Sequence, residues 1–245
     1  MFCQRHQHLL GVLAVGLVLL GFTPASVAQP SPDAATLQTA IALFRKGSYV
    51  RAYALLAPLV QGKRSWWNAH YTFAICGRML RRPLLEIVGQ LRTSLALSPE
   101  NPFAYAALGK TYLEYGRPKS AIEPLRRAVQ LSPQAHSTRW LLVRAYDRSG
   151  RFSDALAELL RLGKTKEYKQ SYALKHALAR VYERVGRLAE AERLLQAMTA
   201  EGNRQFEHRV ALYRFYLRHR MLEKARKLLL LLVPAPTSRP TTPTP

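Results

Sequence analysis

Acidic residues are scarce in this chain: 15 Asp and Glu stand against 37 Lys and Arg, a formal net charge of +22 over 245 residues. A surface of that sign attracts anions, which include acidic protein segments, acidic glycans, lipid or lipopolysaccharide head groups and nucleic acid. Cysteine is nearly absent. Cys3 and Cys76 are the only two, too few for a disulfide framework or a multi-cysteine zinc site. Beyond the first few residues the histidines are His70, His136, His176, His208 and His219. None of them pairs at i, i+4 on one helix or neighbours Cys76 in sequence, as a metal or Cys–His site would need. The chain also lacks a Gly-rich phosphate loop, a nucleophile elbow and carboxylates paired for a cleft. It is therefore read as a non-enzyme with no catalytic residues, no metal and no cofactor.

Long apolar runs are missing too, with one exception near the start. Leu9 to Phe22 is apolar or Gly throughout, short of the roughly 20 residues that span a bilayer. A polar stretch with Arg5 precedes it, Thr23-Pro24 breaks it, and Ser26-Val27-Ala28 supplies small residues at the cleavage positions. This is the grammar of a secretory signal. Residues 1–28 are expected to be removed, 29–34 to form a short flexible lead-in, and the protein to be periplasmic or secreted. Export argues against nucleic acid as a partner.

What the chain does have is a repeat of about 34 residues. The stretch Pro102 to Pro133 reads PFAYAALGKTYLEYGRPKSAIEPLRRAVQLSP. Tyr105, Leu108, Gly109 and Tyr112 share one side of a first helix, which Gly116 ends. Ala121, Leu125 and Ala128 form the packing stripe of a second helix, which Pro133 stops. Small residues at Gly109, Ala121 and Ala128 let the two helices approach closely. The pattern returns downstream as Leu142, Tyr146, Gly150 and Ala155; as Leu178, Tyr182, Gly186 and Ala191; and as Leu212, Tyr216 and Ala225 with Arg220 in place of Gly. Upstream, Gly47, Ala52 and Leu56 form the back half of a first copy. Trp66 to Pro99 forms a degenerate second copy whose turn, Arg81-Arg82-Pro83, has lost its Gly. The alanines Ala121, Ala155, Ala191 and Ala225 are spaced 34, 36 and 34 residues apart. A generic helical bundle explains amphipathic helices but not a fixed period.

On these residues the chain resembles the tetratricopeptide repeat family over Ala35 to Val233. The resemblance implies an all-α fold, a superhelical stack of about six helix-turn-helix repeats (an α-solenoid) over residues 35–233. It also implies a concave surface lined by the first helices and a binding role, usually for peptides or extended protein segments.

In such an array the groove is lined by the helix face beside the packing stripe. Here that face reads Trp140, Arg144, Arg148, then His176, Arg180, Arg184, then Val210, Arg214, Arg218, each trio spaced i, i+4, i+8. The middle position is basic in five successive repeats: Arg78, Lys110, Arg144, Arg180 and Arg214. Stacking would align these into a positive stripe suited to carboxylates, sulfates or phosphates. Trp140 adds a flat surface for a side chain or a sugar ring. Against this stands a plainer reading, a solvated basic face on a chain rich in arginine.

Four further features stand apart from the repeat pattern. Cys76 beside Gly77 is expected to be a buried apolar contact. Trp66-Trp67 is expected to fill the junction of the first two repeats, with an exposed partner anchor as the alternative. Leu228 to Val233 is continuously apolar after Lys224, Arg226 and Lys227, with no seventh repeat to cover it. It is expected to pack back on the array or to self-associate, with peripheral membrane contact as a weaker alternative. Pro234 to Pro245 is a Pro/Thr-rich tail expected to be disordered.

The expected function is an exported scaffold that binds an acidic, extended protein segment within a cell-envelope assembly, secretion or pilus-type machine. The alternative is a module that binds or exports an acidic exopolysaccharide or lipopolysaccharide.

Overall fold

A computed structural model describes residues 31–62, 66–169, 171–200 and 205–232. The expected signal, residues 1–28, and the expected tail, 234–245, lie outside them. The described residues form twelve α-helices and no strand: α1 Pro32–Arg45, α2 Tyr49–Gln61, α3 Trp67–Met79, α4 Leu84–Leu97, α5 Pro102–Glu114, α6 Pro118–Leu131, α7 His136–Arg148, α8 Phe152–Gly163, α9 Tyr172–Arg184, α10 Leu188–Ala200, α11 Gln205–Arg218 and α12 Leu222–Leu232. Each helix packs on the next, so that they stack as six hairpins. This is the expected all-α solenoid.

Local chemistry sets the helix ends. Ser31 accepts from the Ala34 amide at 3.3 Å with Pro32 at the first helical position. The helix thus starts inside the segment expected to be a flexible lead-in, because a Ser-Pro pair is a ready-made cap. Asn101 caps α5 in the same way, accepting from the amides of Phe103 and Ala104. All six first helices end in one motif. The second residue after the helix turns left-handed, and the amide that follows it reaches back to the carbonyl five residues earlier, as Arg117 does to Tyr112 and Arg187 to Tyr182. Gly47, Gly116, Gly150 and Gly186 supply the left-handed residue in four repeats. In the two repeats that lack Gly, Arg81 and Arg220 take the same conformation, at φ 57° and 56°. The fold keeps its turn there and carries the strain of a side chain in it.

Within each hairpin, small residues set the helix spacing. Ala52, Ala121, Ala155 and Ala191 are completely buried. A Cβ built on Gly109 would stand 2.3 Å from the Leu125 Cγ, so Leu125 sits directly against the glycine backbone. One turn beyond each of these alanines, and beyond Ile87 in the second repeat, lies a leucine that the following repeat covers: Leu56, Leu91, Leu125, Leu159 and Leu195 are all buried. The sixth of the series, Leu229, is 41% exposed. Leu228 packs on the last core cluster, but Leu230 and Leu231 are exposed. The terminal run therefore does not pack back on the array as a whole: a leucine on every side of a helix cannot face one neighbour.

Cys76 is fully buried, and burial pushes its thiol up to about 11, so it is an apolar contact. Trp66 packs against the cluster of Leu37, Leu56 and Phe73 and fills the junction of the first two repeats. Trp67 stays partly exposed beside Tyr71.

The stack is not uniform. The first helices α1, α3, α5 and α7 touch one another in turn, whereas α9 stands further from α7, and α11 from α9. The connector before α9 spans residues 164–171, against 98–101 and 132–135 in earlier repeats. It folds into turns held by the amides of Tyr168 and Lys169 on the Thr165 carbonyl. These turns place Tyr168 against α7.

Candidate functional site

The spread between the last three first helices opens clefts on the face where the basic column was expected. One cleft of about 350 Å³ lies between α7 and α9, with Trp140, Val143, Ala173 and Ala177 on its apolar walls and Arg144, Asp147, Arg148, His176 and Arg180 around them. A second, of about 290 Å³, lies between α9 and α11 and is lined by His176, Ala179, Arg180, Glu183, Leu195, Ala211, Arg214 and Arg218. A third, of about 420 Å³, joins them at the helix ends through Asp147, Arg180, Glu183, Arg184 and Arg218. Shared residues make the three one trough. It gathers Trp140, Arg144, Arg148, His176, Arg180, Arg184, Arg214 and Arg218. Arg78 and Lys110, on α3 and α5, stand outside it.

Two carboxylates, Asp147 and Glu183, interrupt the cations of the trough, so the positive stripe is not continuous. Arg180 reaches one repeat back to Asp147 at 2.8 Å. Arg218 reaches one repeat back to both oxygens of Glu183, at 2.7 and 2.9 Å, and His219 adds a 2.9 Å contact. Burial alone would raise the Glu183 carboxyl, but the hydrogen bonds from Arg218 and His219 outweigh it and hold it below the usual carboxylate range. In the N-terminal half, Arg78 clasps Glu114 at 2.9 Å with its side chain only 10% exposed. It is an inter-repeat brace and no part of an open groove. Lys110 is exposed and lies 4.0 Å from the same carboxylate.

The remaining cations divide further. Arg148 donates to the Leu113 carbonyl at 3.2 Å. Arg184 lies over the Phe152 ring, 4.6 Å from its centroid. His176 is pulled below the ordinary imidazole range, first by burial and then by His208, against the pull of Glu207. Arg144 and Arg214 are different. Both are exposed, both line the trough, and neither has a hydrogen-bond or ion-pair partner among the described residues.

Three contributors were not read from the sequence. Asp147 and Glu183 directly precede Arg148 and Arg184, at the same place in consecutive repeats, and that recurrence was a usable signal. Tyr168 sits in an irregular connector that no helical pattern reports. It lies nearly parallel to Trp140, with ring centroids 6.2 Å apart and planes at 16°, and edge-on to His136 at 5.9 Å.

The trough residues include no serine, threonine or cysteine to act as a nucleophile. Among the described residues no three His, Cys, Asp or Glu converge in a way that could hold a metal ion.

Family models described as tetratricopeptide repeat match residues 113–167 and 173–209. Those two stretches are tetratricopeptide repeats, set within a stack of six helical hairpins. Solved structures agree on the fold. MamA (AMB-1) is similar at a TM-score of 0.62 and 22% identity, over 70% of this chain and 93% of its own. YrrB, a TPR protein with an unusual peptide-binding site, is similar at a TM-score of 0.60 and 17% identity, over 70% of this chain and 86% of its own. The Naa15/Naa10 complex bound to HypK-THB contains a chain similar at 0.58 and 16% identity, over 82% of this chain and 31% of that one. No curated protein matches the sequence. At these identities the likeness concerns the tetratricopeptide repeat fold and carries no partner with it.

Proposed function

We propose that the protein is a binding scaffold whose trough, from α7 to α11, holds an extended protein segment bearing acidic residues. The observation that carries this reading is the pair of exposed guanidinium groups, Arg144 and Arg214, neither of which has a partner among the described residues. They flank a repeat whose own arginine is already engaged by Asp147. An acidic segment laid across three repeats meets a free fork at each end, and each fork can take two carboxylate oxygens. YrrB, with its peptide-binding site, is a precedent for a similar fold in this role.

The N-terminal grammar of residues 1–28 supports export, and with it a place in a periplasmic or secreted assembly of the secretion, pilus or surface-building kind. Trp140 favours a second reading, an acidic polysaccharide, since a flat ring also stacks on sugars.

The test is affinity capture from envelope extract by the mature protein and by an Arg144→Glu/Arg214→Glu variant, after circular dichroism shows equal helicity. Arg180 and Arg218 are left intact, because they also brace neighbouring repeats. A discrete protein captured by the wild type in moderate salt and lost by the variant supports the scaffold. Binding to acidic polysaccharide that fades steeply as salt shortens the Debye length favours the second reading. Equal capture by both proteins overturns the trough as the binding surface.

A further inference from the structure

Resting on the trough reading, we infer that the cleft between α7 and α9 is a side-chain anchor pocket, and that the partner segment carries an aromatic residue next to a carboxylate.

The pocket arises from a local departure from the repeat. The long connector before α9 holds Tyr168 against the Trp140 ring, backing one face of the indole and fixing the ring's orientation. His136 meets the edge of Tyr168 and completes the support. With α9 set away from α7, the space between them is not filled by the array. The opposite wall is made of Ala173 and Ala177, residues too small to close it. The cleft's volume of about 350 Å³ is at the small end of ligand pockets, the size for one large side chain.

The chemistry of the rim selects which side chain. A flat indole against small alanines suits another ring, which stacks or meets it edge-on. Arg144 and Arg180 both line the cleft, and guanidinium groups lie well on aromatic faces. An aliphatic residue would gain the burial but not the ring contacts. Arg144 has no carboxylate of its own among the described residues, so an acidic residue beside the aromatic one pairs with it without displacing Asp147 from Arg180. A bare polyanion has no group to fill the pocket. Buried aromatic and arginine contacts of this kind dominate binding interfaces.

The test uses two fluorescein-labelled peptides, Gly-Ser-Asp-Glu-Trp-Asp-Glu-Gly-Ser and the same peptide with Ala for Trp, and fluorescence anisotropy. Burying the indole should make the Trp peptide bind the wild type about tenfold more tightly. Ala173 is exposed on the pocket wall, so Ala173→Leu fills the pocket without entering the core. That variant should keep its affinity for the Ala peptide and bind the Trp peptide no better. Tyr168→Ala should also erode the preference by releasing Trp140. If the wild type binds both peptides equally, the anchor is overturned while the trough stands. A Trp preference that survives in Ala173→Leu places the aromatic contact elsewhere and overturns it too. If the wild type binds neither peptide, the trough reading falls and the anchor with it.

Discussion

Leu125 on α6 rests directly on the backbone of Gly109 on α5, so closely that a methyl group on the glycine would overlap the Leu125 Cγ at 2.3 Å. The hairpin is closed by this contact. Gly109→Ala is expected to destabilise the array by about 1–3 kcal/mol, the range for overpacking a filled core. Gly77 on α3 holds the place of Tyr112, one turn nearer the end of its helix, and an added Cβ there meets Tyr53, Arg82 and Ile87 at 3.5–3.6 Å, ordinary contact distances. Gly77→Ala should cost much less. Urea melts of the two variants check the contrast.

Arg81 and Arg220 hold the left-handed turn that glycine holds elsewhere. A side chain in that region costs about 1–2 kcal/mol, and glycine returns part of the gain through the greater freedom of the unfolded chain. Arg81→Gly and Arg220→Gly should each stabilise the protein by about 0.5–1 kcal/mol. Neither arginine lines the trough, so peptide binding should be unchanged. Thermal melts and anisotropy on the same samples decide both points.

The inter-repeat ion pair of Glu183 with Arg218 makes a pH-dependent prediction. The folded-state carboxyl is held below its ordinary value of 4.5. Its stabilisation is therefore fully present above that value and is lost as pH falls through the lowered one. Arg218 is more than half exposed, which keeps the contribution small, at most about 1 kcal/mol. Glu183→Gln should lower the melting temperature slightly at pH 7. The difference from wild type should shrink below pH 4.5 and vanish at stronger acid. A constant difference at every pH would mean that packing, and not charge, is what the substitution disturbs.

The fold was legible because the repeat is a packing code. Ala at one position, Leu one turn on and Gly at the turn recur whatever the rest of the surface does, and the helices stack as those residues require. The missing glycines were visible as well, though not that arginine would hold the same turn. The site was legible only in part. The i, i+4, i+8 rule put the right arginines on one face, but a one-dimensional face cannot report partners from the next repeat. Asp147 and Glu183 neutralise Arg180 and Arg218 across a distance of one period. Nor does helical periodicity describe the connector that delivers Tyr168.

The last repeat offers a test of how much of each leucine's stability comes from the neighbour that covers it. Leu195 and Leu229 hold the same position in consecutive repeats, one turn beyond Ala191 and Ala225. Leu195 is buried beneath the next first helix, whereas Leu229 is 41% exposed because no further helix lies over it among the described residues. Truncating a buried leucine removes its transfer free energy and leaves a cavity, about 2–5 kcal/mol in all. Truncating a half-exposed one leaves no enclosed cavity and loses only part of the transfer free energy, about 1 kcal/mol. Leu195→Ala should therefore lower stability several times more than Leu229→Ala in urea unfolding at micromolar protein concentration. Equal losses would mean that Leu229 is covered in solution. The concentration dependence of its unfolding midpoint would then separate a second copy, which shifts the midpoint, from a segment of the same chain, which does not.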